Sequence, residues 1–316
     1  RLTAGHDQWK LSMTIRFDGQ VAIVTGAGQG LGRRYALDLA ARGAKVVVND
    51  LGAPRDGRGS ETAATEAVVN DIKSSGGEPF ADGADVTDPG QVDAMVERAV
   101  SMWGRVDILI NNAGILRDKT FAKMDVADFK AVFDVHVMGT VQCTKAVWPL
   151  MREQSYGRIV MTTSSSGLYG NFGQSNYSAA KMALIGLMNT LHLEGKKYDI
   201  RVNAVSPCAA TRMTEDLMPR EALAVLKPEY VSAGVLYLAS SNAPSREILA
   251  AGAGTFARAL VLETEGVTLP PEQQTPEEVA KRWHKIADQS GATRLTAAND
   301  QTIKFVTRAM SETSKS

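Results

Sequence analysis

The stretch VAIVTGAGQGLG, residues 21–32, decides the fold. Its first five residues are apolar or β-branched and predict a short buried strand, Val21–Thr25. Glycines at positions 26, 30 and 32 follow directly, and a segment with apolar residues at helical spacing, Leu31–Ala41, starts within them. Such a loop lets the backbone approach a pyrophosphate, and the free N–H groups of the helix N-terminus can bind the anion. A tight connection without a ligand is the alternative.

The alternation of strand and helix continues along the chain. Short runs rich in Val and Ile predict further strands, and segments with helical spacing separate them. The predicted strands are Val21–Thr25, Lys45–Asp50, a weaker one at Pro79–Ala84, Val106–Asn111, Arg158–Thr163 and Ile200–Val205. The predicted helices are Leu31–Ala41, Glu61–Ser74, Gln91–Met102, Asp125–Met151 and Asn176–Glu194. We therefore expect an α/β fold, a Rossmann-type doubly wound parallel sheet with helices on both faces.

The pattern predicts one large domain and an appendage. Residues 13–267 form the expected NAD-binding and catalytic domain, and residues 268–316 a C-terminal helical appendage. The Pro-rich stretch LPPEQQTPEE, residues 269–278, marks the break, and an amphipathic segment follows at Glu277–Asp288. Residues 1–12 are polar and lack the apolar centre of a signal peptide, so we expect Met13 to be the start and the residues before it an extension.

The composition argues against several classes of partner. Lys plus Arg and Asp plus Glu each total 35, so a formal net charge of zero gives no reason to predict nucleic acid or a membrane surface as a partner. The two cysteines, Cys143 and Cys208, are too few for a disulfide scaffold or a four-ligand zinc site, and no metal is predicted. No run of 18 apolar residues occurs. We expect a cytoplasmic protein; the C-terminal SKS leaves a peroxisomal location as the alternative.

An acid at the end of the second strand bears on the choice of cofactor. Asp50 lies 18 residues beyond Gly32, where a carboxylate can accept hydrogen bonds from the adenosine ribose hydroxyls. It would repel a 2′-phosphate, and Leu51 offers no cation to bind one, so we predict NAD rather than NADP. Asp50 as a turn residue is the structural alternative, and Arg55 and Arg58 could reach a phosphate.

Two further strand ends carry candidate cofactor residues. Asp85 and Val86 follow the weak third strand and are placed to flank an adenine. NNAG, Asn111–Gly114, ends the fourth strand. Its small residues would allow close approach of the cofactor, while the second asparagine, Asn112, could instead join adjacent strands through its amide.

Three residues near the fifth strand suggest a catalytic group. Tyr177 and Lys181 are four apart on a predicted helix, so their side chains share a face. A free phenol is a poor base at neutral pH, and a nearby ammonium is expected to lower the pKa of Tyr177. Ser164 ends the strand 13 residues earlier, where its hydroxyl could bind a substrate carbonyl or cap the strand end. We expect Tyr177 to exchange a proton with the substrate oxygen.

Together these motifs resemble the short-chain dehydrogenase/reductase superfamily over residues 17–260. The pattern TGxxxGxG stands at Thr25–Gly32, followed by NNAG and the Ser, Tyr and Lys set. The stretches VVVNDLG, NNAGILRD and RMTEDLMP more closely resemble the (3R)-hydroxyacyl-CoA dehydrogenase domain of the peroxisomal multifunctional enzymes of type 2 and their single-domain bacterial relatives.

The resemblance implies residue roles. Catalytic roles fall to Ser164, Tyr177, Lys181 and His136, which stands where many members have an asparagine. His136 would hold a helix kink and a relay water, or it is a satisfied core histidine. Cys208 replaces a glycine that is usual in the superfamily, so the turn there must differ. The implied cofactor-binding residues are Gly26, Gln29, Gly30, Leu31, Gly32, Asp50, Asp85, Val86, Asn112, Ala113, Gly114, Tyr177, Lys181, Ala209, Ala210, Thr211 and Arg212.

The resemblance also implies an activity. It implies NAD, a homodimer or dimer of dimers, and oxidation of a (3R)-3-hydroxyacyl-CoA, with the appendage helping to enclose the neighbouring subunit's site. Activity of some members on 17β-hydroxysteroids makes a hydroxysteroid dehydrogenase the alternative, and a catalytically silent NAD-binding scaffold is a second. Arg117, Lys119 and Lys123 near the crevice edge favour CoA, although a solvated charged loop explains them equally.

Overall fold

The computed structural model describes residues 14–52, 56, 63–209, 221 and 225–313. Its strands are β1 Val21–Thr25, β2 Lys45–Asn49, β3 Pro79–Asp82, β4 Ile108–Asn111, β5 Gly157–Thr162, β6 Ile200–Cys208, β7 Ile248–Gly252 and β8 Thr255–Ala259. They form one sheet in the order β3-β2-β1-β4-β5-β6-β7-β8. All ladders from β3 through β7 are parallel. The predicted α/β, Rossmann-type doubly wound sheet is confirmed.

Helices cover both faces of this sheet. They are α1 Gly30–Ala41, α2 Ala63–Ser74, α3 Pro89–Trp103, α4 Val126–Phe133, α5 Gly139–Gln154, α6 Ser165–Tyr169, α7 Ser175–Gly195 and α8 Pro228–Ala239. The first two pack with α8 into one hydrophobic core, and α3, α5 and α7 cover the sheet elsewhere. All residues of β1 and β5 are buried, because each is covered on both faces.

Local signals explain where the helices begin and end. The Asp88 side chain accepts hydrogen bonds from the N–H groups of Gly90 and Gln91, Pro89 occupies the first turn of α3, and Gly104 ends the helix with φ of 77°. The predicted helix Asp125–Met151 is divided, since a π-helical turn, Asp134–Met138, separates α4 from α5. A π turn of this kind is frequent at functional sites.

Part of the sheet was not predicted. β6 extends to Cys208 instead of ending at Val205, because β7 pairs with its last five residues, with Cys208 opposite Gly252. β7 itself is rich in small residues and carries little strand signal. The backbone at Cys208 is therefore extended strand, where the superfamily pattern led us to expect an altered turn.

The chain divides into two compact units, residues 1–258 and 259–316. The second contains α9 Pro276–Lys281, α10 Trp283–Ile286 and α11 Ala298–Thr313, and Glu263 and Thr293 form an antiparallel bridge within it. The assignment of residues 13–267 as the NAD-binding and catalytic domain and of residues 268–316 as an appendage stays a prediction. Among the described helices, none combines the length and the apolar character that crossing a membrane requires.

Candidate active site

The glycine loop joins β1 to α1 at the carboxyl edge of the sheet. Gly26 has φ of 64°, a left-handed conformation that favours glycine. A Cβ on Gly32 would lie 2.1 Å from the carbonyl oxygen of Gly26, so a side chain there cannot be accommodated. Gln29 and Gly30 are exposed at the start of α1, and Leu31 is half-buried. The first N–H groups of a helix lack partners within it, so this exposed helix start suits a diphosphate.

Asp50 follows β2 and supports the same loop. Its Oδ2 accepts a hydrogen bond from the Gly28 N–H at 2.8 Å, and its Oδ1 accepts one from the Gly52 N–H at 2.7 Å. A carboxylate has about four lone-pair sites, so these bonds leave capacity for ribose hydroxyls. The bond from the Gly52 N–H is typical of a turn residue, which was the alternative interpretation of Asp50. The same carboxylate can stabilise this turn and bind a ribose. Arg55 and Arg58 lie outside the described residues.

The two predicted adenine-flanking residues are held by local contacts. The Asp85 carboxylate accepts hydrogen bonds from the N–H and the hydroxyl of Thr87, both at 2.8 Å. Val86 is 7% exposed and packs against Gly139, where a Cβ would lie 2.7 Å from Val86 Cγ2. Both therefore occupy fixed positions beyond the end of β3.

Asn112 joins two strand ends. Its Nδ2 donates to the carbonyl oxygens of Thr25 and Gly26, each at 3.0 Å. The Thr25 hydroxyl oxygen in turn accepts from the N–H groups of Asn112 and Ala113, at 3.0 and 3.1 Å. The side-chain amide of Asn112 is thus used within the protein, as one of the two sequence interpretations had it. Thr25 was not predicted to join these strand ends, although it lies directly before the glycines.

Ser164, Tyr177 and Lys181 come together beyond the end of β5. Ser164 Oγ accepts from the Ser166 N–H at 3.2 Å and caps α6, and the Ser164 side chain also interacts with Tyr177 and lowers its pKa. Lys181 is 3% exposed, and its Nζ lies 5.5 Å from the centroid of the Tyr177 ring. That Nζ donates to the carbonyl oxygen of Thr162 at 2.6 Å.

Burial dominates the pKa values of this group. It raises the pKa of Tyr177 to about 12, and the nearby Asp118 carboxylate adds to the rise. It lowers the pKa of Lys181 to about 7. The expectation that Lys181 lowers the pKa of Tyr177 is not met, because burial shields both groups from water and favours the neutral form of each.

Lys181 has spare hydrogen-bonding capacity in this buried place. An ammonium group has three donors, and one is used on Thr162 among the described residues. A buried amino group with unused N–H donors favours further acceptors, since an unsatisfied buried donor is costly. The hydroxyls of a nicotinamide ribose would supply such acceptors, so the site fits a dinucleotide.

His136 lies within the π turn and faces Tyr177. The two rings meet edge to face with centroids 5.2 Å apart, and a Cβ on Gly114 would lie 2.2 Å from His136 Cε1. Its Nε2 is 2.9 Å from the Ile115 oxygen and 3.1 Å from the Ile115 nitrogen, and its buried Nδ1 has no partner among the described residues. Burial, and secondarily the charge of Lys181, hold the pKa of His136 well below its ordinary value, so the ring is neutral.

The remaining predicted residues divide between described and undescribed segments. Ala209 follows β6 and is buried, while Ala210, Thr211 and Arg212 lie outside the described residues. At the crevice edge, Arg117 pairs with Asp128 at 3.2 Å, and Lys119 pairs with Asp125 and Asp128 at 3.0 and 2.9 Å. These cations are neutralised locally, which weakens their value as a signal for CoA.

Comparison with known proteins identifies relatives of the whole fold. The family model described as short chain dehydrogenase matches residues 20–222. A short-chain type dehydrogenase/reductase of Mycobacterium tuberculosis is 47% identical over 86% of this chain and 96% of that protein. The peroxisomal multifunctional enzyme type 2 of Drosophila melanogaster is 45% identical over 90% of this chain, which spans 48% of that protein.

Solved structures agree with these relatives. A 7α-hydroxysteroid dehydrogenase, complexed with NADH and 7-oxo glycochenodeoxycholic acid, superposes with a TM-score of 0.68. It is 30% identical, and the match covers 76% of this chain and 95% of that one. The glycine loop, the strand-end residues and the buried tyrosine and lysine thus lie in a framework that also occurs in a dinucleotide-binding dehydrogenase.

Proposed function

The chain belongs to the short chain dehydrogenase family, and from this membership we propose that it oxidises (3R)-3-hydroxyacyl-CoA to 3-ketoacyl-CoA with NAD. As a member of that family it is an oxidoreductase that binds a nicotinamide cofactor. The substrate, the preference for NAD and the residue roles are the proposed part. A homodimer or a dimer of dimers is part of the same proposal, on the resemblance stated above.

One observation carries the proposed chemistry: Ser164, Tyr177 and Lys181 meet beyond the end of β5, the strand that pairs with β4, after which NNAG continues. In the proposed mechanism Ser164 hydrogen-bonds the substrate oxygen, and Tyr177 takes the proton from the substrate hydroxyl. Lys181 binds the ribose and stabilises the charge that Tyr177 acquires. Bound NAD would accept the hydride from the carbinol carbon, and the protein contributes position and electrostatics.

The preference for NAD rests on Asp50. Its carboxylate is fixed by the Gly28 and Gly52 N–H groups at the end of β2, where the adenosine ribose lies in this fold. A fixed negative charge there favours ribose hydroxyls and disfavours a 2′-phosphate.

His136 takes the proposed role of a positioning residue for a relay water. It is neutral, its Nε2 is used at Ile115, and its Nδ1 is free within the described structure. A buried nitrogen without a partner is a place where a water is favourable. The alternative, a satisfied core histidine, does not account for Nδ1.

The choice between a CoA ester and a steroid depends on the relatives rather than on charge. In superposed structures the chain is 38% identical to the Drosophila peroxisomal multifunctional enzyme type 2 over 91% of its length, and 30% identical to the 7α-hydroxysteroid dehydrogenase over 76%. The higher identity, over a larger share of the chain, favours the acyl-CoA substrate. A hydroxysteroid dehydrogenase is the second candidate.

The test is a direct assay of NADH formation by the full chain. A (3R)-3-hydroxyacyl-CoA, its (3S) epimer and 17β-estradiol are offered separately, each with NAD and with NADP. We expect turnover of the (3R) ester with NAD and little with the epimer. Turnover of the steroid alone would replace the proposal with the second candidate, and a preference for NADP would contradict the role given to Asp50.

A further inference from the structure

Hydrogen bonds join the loop after β4 to the segment that begins α7. The Asn176 amide donates to the carbonyl oxygen of Arg117 at 3.0 Å, and the Lys119 N–H donates to the carbonyl oxygen of Gly173 at 2.9 Å. Asn176 is fully buried, so its amide has no water as a competing partner. The loop is therefore fixed against the turn of helix that carries Tyr177.

Gln174 adds a side-chain bridge between the same two segments. It is 6% exposed, and its Nε2 donates to Asp118 Oδ2 at 2.7 Å. Its Oε1 accepts from the Ser166 hydroxyl and from the Asn171 amide, both at 2.9 Å. The Asp118 carboxylate only accepts hydrogen bonds, and this fixes the orientation of the amide, with its oxygen toward Ser166 and Asn171. The remaining NH₂ group faces the Asp118 carboxylate.

The Asp118 carboxylate is not neutralised by the cations nearest to it in sequence. Arg117 pairs with Asp128, and Lys119 pairs with Asp125 and Asp128. Among the described residues, the bond from Gln174 is the polar contact found for the Asp118 side chain. Gln174 therefore holds an uncompensated negative charge at the crevice.

Tyr177 is the titratable group that this charge affects. The groups that face Tyr177 are Ser164 beyond β5, His136 in the π turn, Lys181 on α7 and Asp118 in the loop. His136 is neutral. Burial contributes most to the raised pKa of Tyr177, Ser164 lowers that pKa, and Asp118 adds to the rise. Asp118 is thus the carboxylate whose charge reaches the proposed proton acceptor.

We propose that Gln174 is a positioning residue that holds the Asp118 carboxylate against the first turn of α7, and that the negative charge held there adds to the effect of burial in keeping Tyr177 protonated. This inference rests on the role of Tyr177 in the proposed function. A protonated tyrosine is the proton donor for reduction and a tyrosinate is the proton acceptor for oxidation, so removal of the carboxylate should allow oxidation to begin at lower pH.

The test compares pH profiles of kcat for alcohol oxidation at saturating NAD. Asp118→Asn removes the charge and keeps an oxygen for Gln174, while Gln174→Met removes the bridge at similar volume. Asp125→Asn is the matched control, because it removes a carboxylate from the neighbouring exposed segment that contacts Lys119. We expect the rising limb to move to lower pH in Asp118→Asn and in Gln174→Met, and to stay in place in the control.

The double variant separates a positioning role from a structural one. If Gln174 acts through Asp118, adding Gln174→Met to Asp118→Asn moves the limb no further. The shift should also shrink at high salt, because the Asp118 charge is exposed and screened. A profile of Asp118→Asn that superposes on the wild type and the control would overturn the proposal, as would loss of kcat in Gln174→Met without any shift.

A second readout does not depend on the substrate. Tyrosinate absorbance is titrated in the presence of NAD for the wild type and Asp118→Asn, each with a Tyr177→Phe partner whose spectrum is subtracted. Ionisation of Tyr177 at lower pH in Asp118→Asn supports the inference. This holds even if no CoA ester is oxidised, and such a result would contradict only the proposed substrate. Unchanged ionisation refutes the inference while leaving the substrate proposal intact.

Discussion

Lys181 Nζ lies 5.5 Å from the centroid of the Tyr177 ring, and both side chains project from α7 beyond the end of β5. Burial lowers the pKa of Lys181 to about 7 and raises that of Tyr177 to about 12. Each shift opposes charge, so at neutral pH Tyr177 keeps its proton and Lys181 is only partly protonated. Burial of the Lys181 amino group therefore lowers the free energy of unfolding, and this loss can be measured.

Lys181→Met should stabilise the chain at neutral pH while removing activity. The folded-state pKa of Lys181, about 7, lies below its usual 10.5, so the unfolded chain binds more protons between these values and wild-type stability rises with pH across that window. At pH 7 and below, the full penalty for the buried ammonium is present. Allowing for the lost bond to Thr162, we expect the variant to gain about 3 kcal/mol there.

Urea unfolding at several pH values measures this gain. The difference between Lys181→Met and the wild type should shrink as pH rises from 7 toward 10.5. Lys73→Met, at an exposed position near the end of α2, serves as the control and should show no such trend. A variant less stable than the wild type at pH 7 would show that the bond to Thr162 outweighs the cost of burial.

Tyr177→Phe should reduce kcat by about a hundredfold or more, the range for loss of a general acid or base. The ring and its edge-to-face contact with His136 are kept, so NADH binding, measured by fluorescence, should be nearly unchanged. Tyr237→Phe, on an exposed part of α8, is the control and should be fully active. Substantial activity in Tyr177→Phe would remove this residue from the proposed mechanism.

The sequence was informative about the fold where burial and periodicity coincide. β1, β4 and β5 are runs of apolar residues covered on both faces, and each was predicted within two residues of its observed bounds. β7 was not predicted, because its alanines and glycine give no strand signal and its position depends on pairing with β6. The π turn also escaped prediction, since a continuous helical pattern runs through it.

The proximity of three candidate site residues was predictable from the sequence, their electrostatics less so, and their roles stay predictions. Spacing and order alone predicted that Ser164, Tyr177 and Lys181 lie together, which the structure shows. The direction of the Tyr177 pKa shift was wrong for the chain without cofactor, because the sequence does not report how far each group is buried. Gln174 and Asp118 are 56 residues apart in sequence, so nothing in local spacing indicates that they meet.

Asp50→Asn should change the choice of cofactor. The substitution keeps one oxygen, which can accept from the Gly28 N–H, gives up the bond from the Gly52 N–H, and removes the negative charge that would repel a 2′-phosphate. We expect the ratio of kcat/KM for NADP to that for NAD to rise by about tenfold, which corresponds to about 1.4 kcal/mol. Asp82→Asn, at the end of the neighbouring strand β3, controls for loss of charge at this edge of the sheet. An unchanged ratio would show that another group sets the preference.

His136 can be assigned to the relay or to the core by two substitutions. Asn restores an amide that can hydrogen-bond Ile115 and a water, so His136→Asn should stay within about tenfold of wild-type kcat. Leu fills the volume but leaves the Ile115 backbone without its side-chain partner, so His136→Leu should lose about a hundredfold. Comparable activity of the two variants would mean that the ring only packs against Gly114 and Tyr177.

The same residue gives a signature in acid. The folded-state pKa of His136 lies well below 6.5, so the stability that comes with its neutral form is fully present above pH 6.5 and is lost as pH falls toward the folded-state value. His136→Asn removes this titration, and its free energy of unfolding should therefore fall less steeply than that of the wild type between about pH 6.5 and 5. His284→Asn, at an exposed position, should keep the wild-type slope. Parallel slopes for the wild type and His136→Asn would mean that the buried ring charges without cost, which is incompatible with a neutral histidine holding a relay water beside Tyr177.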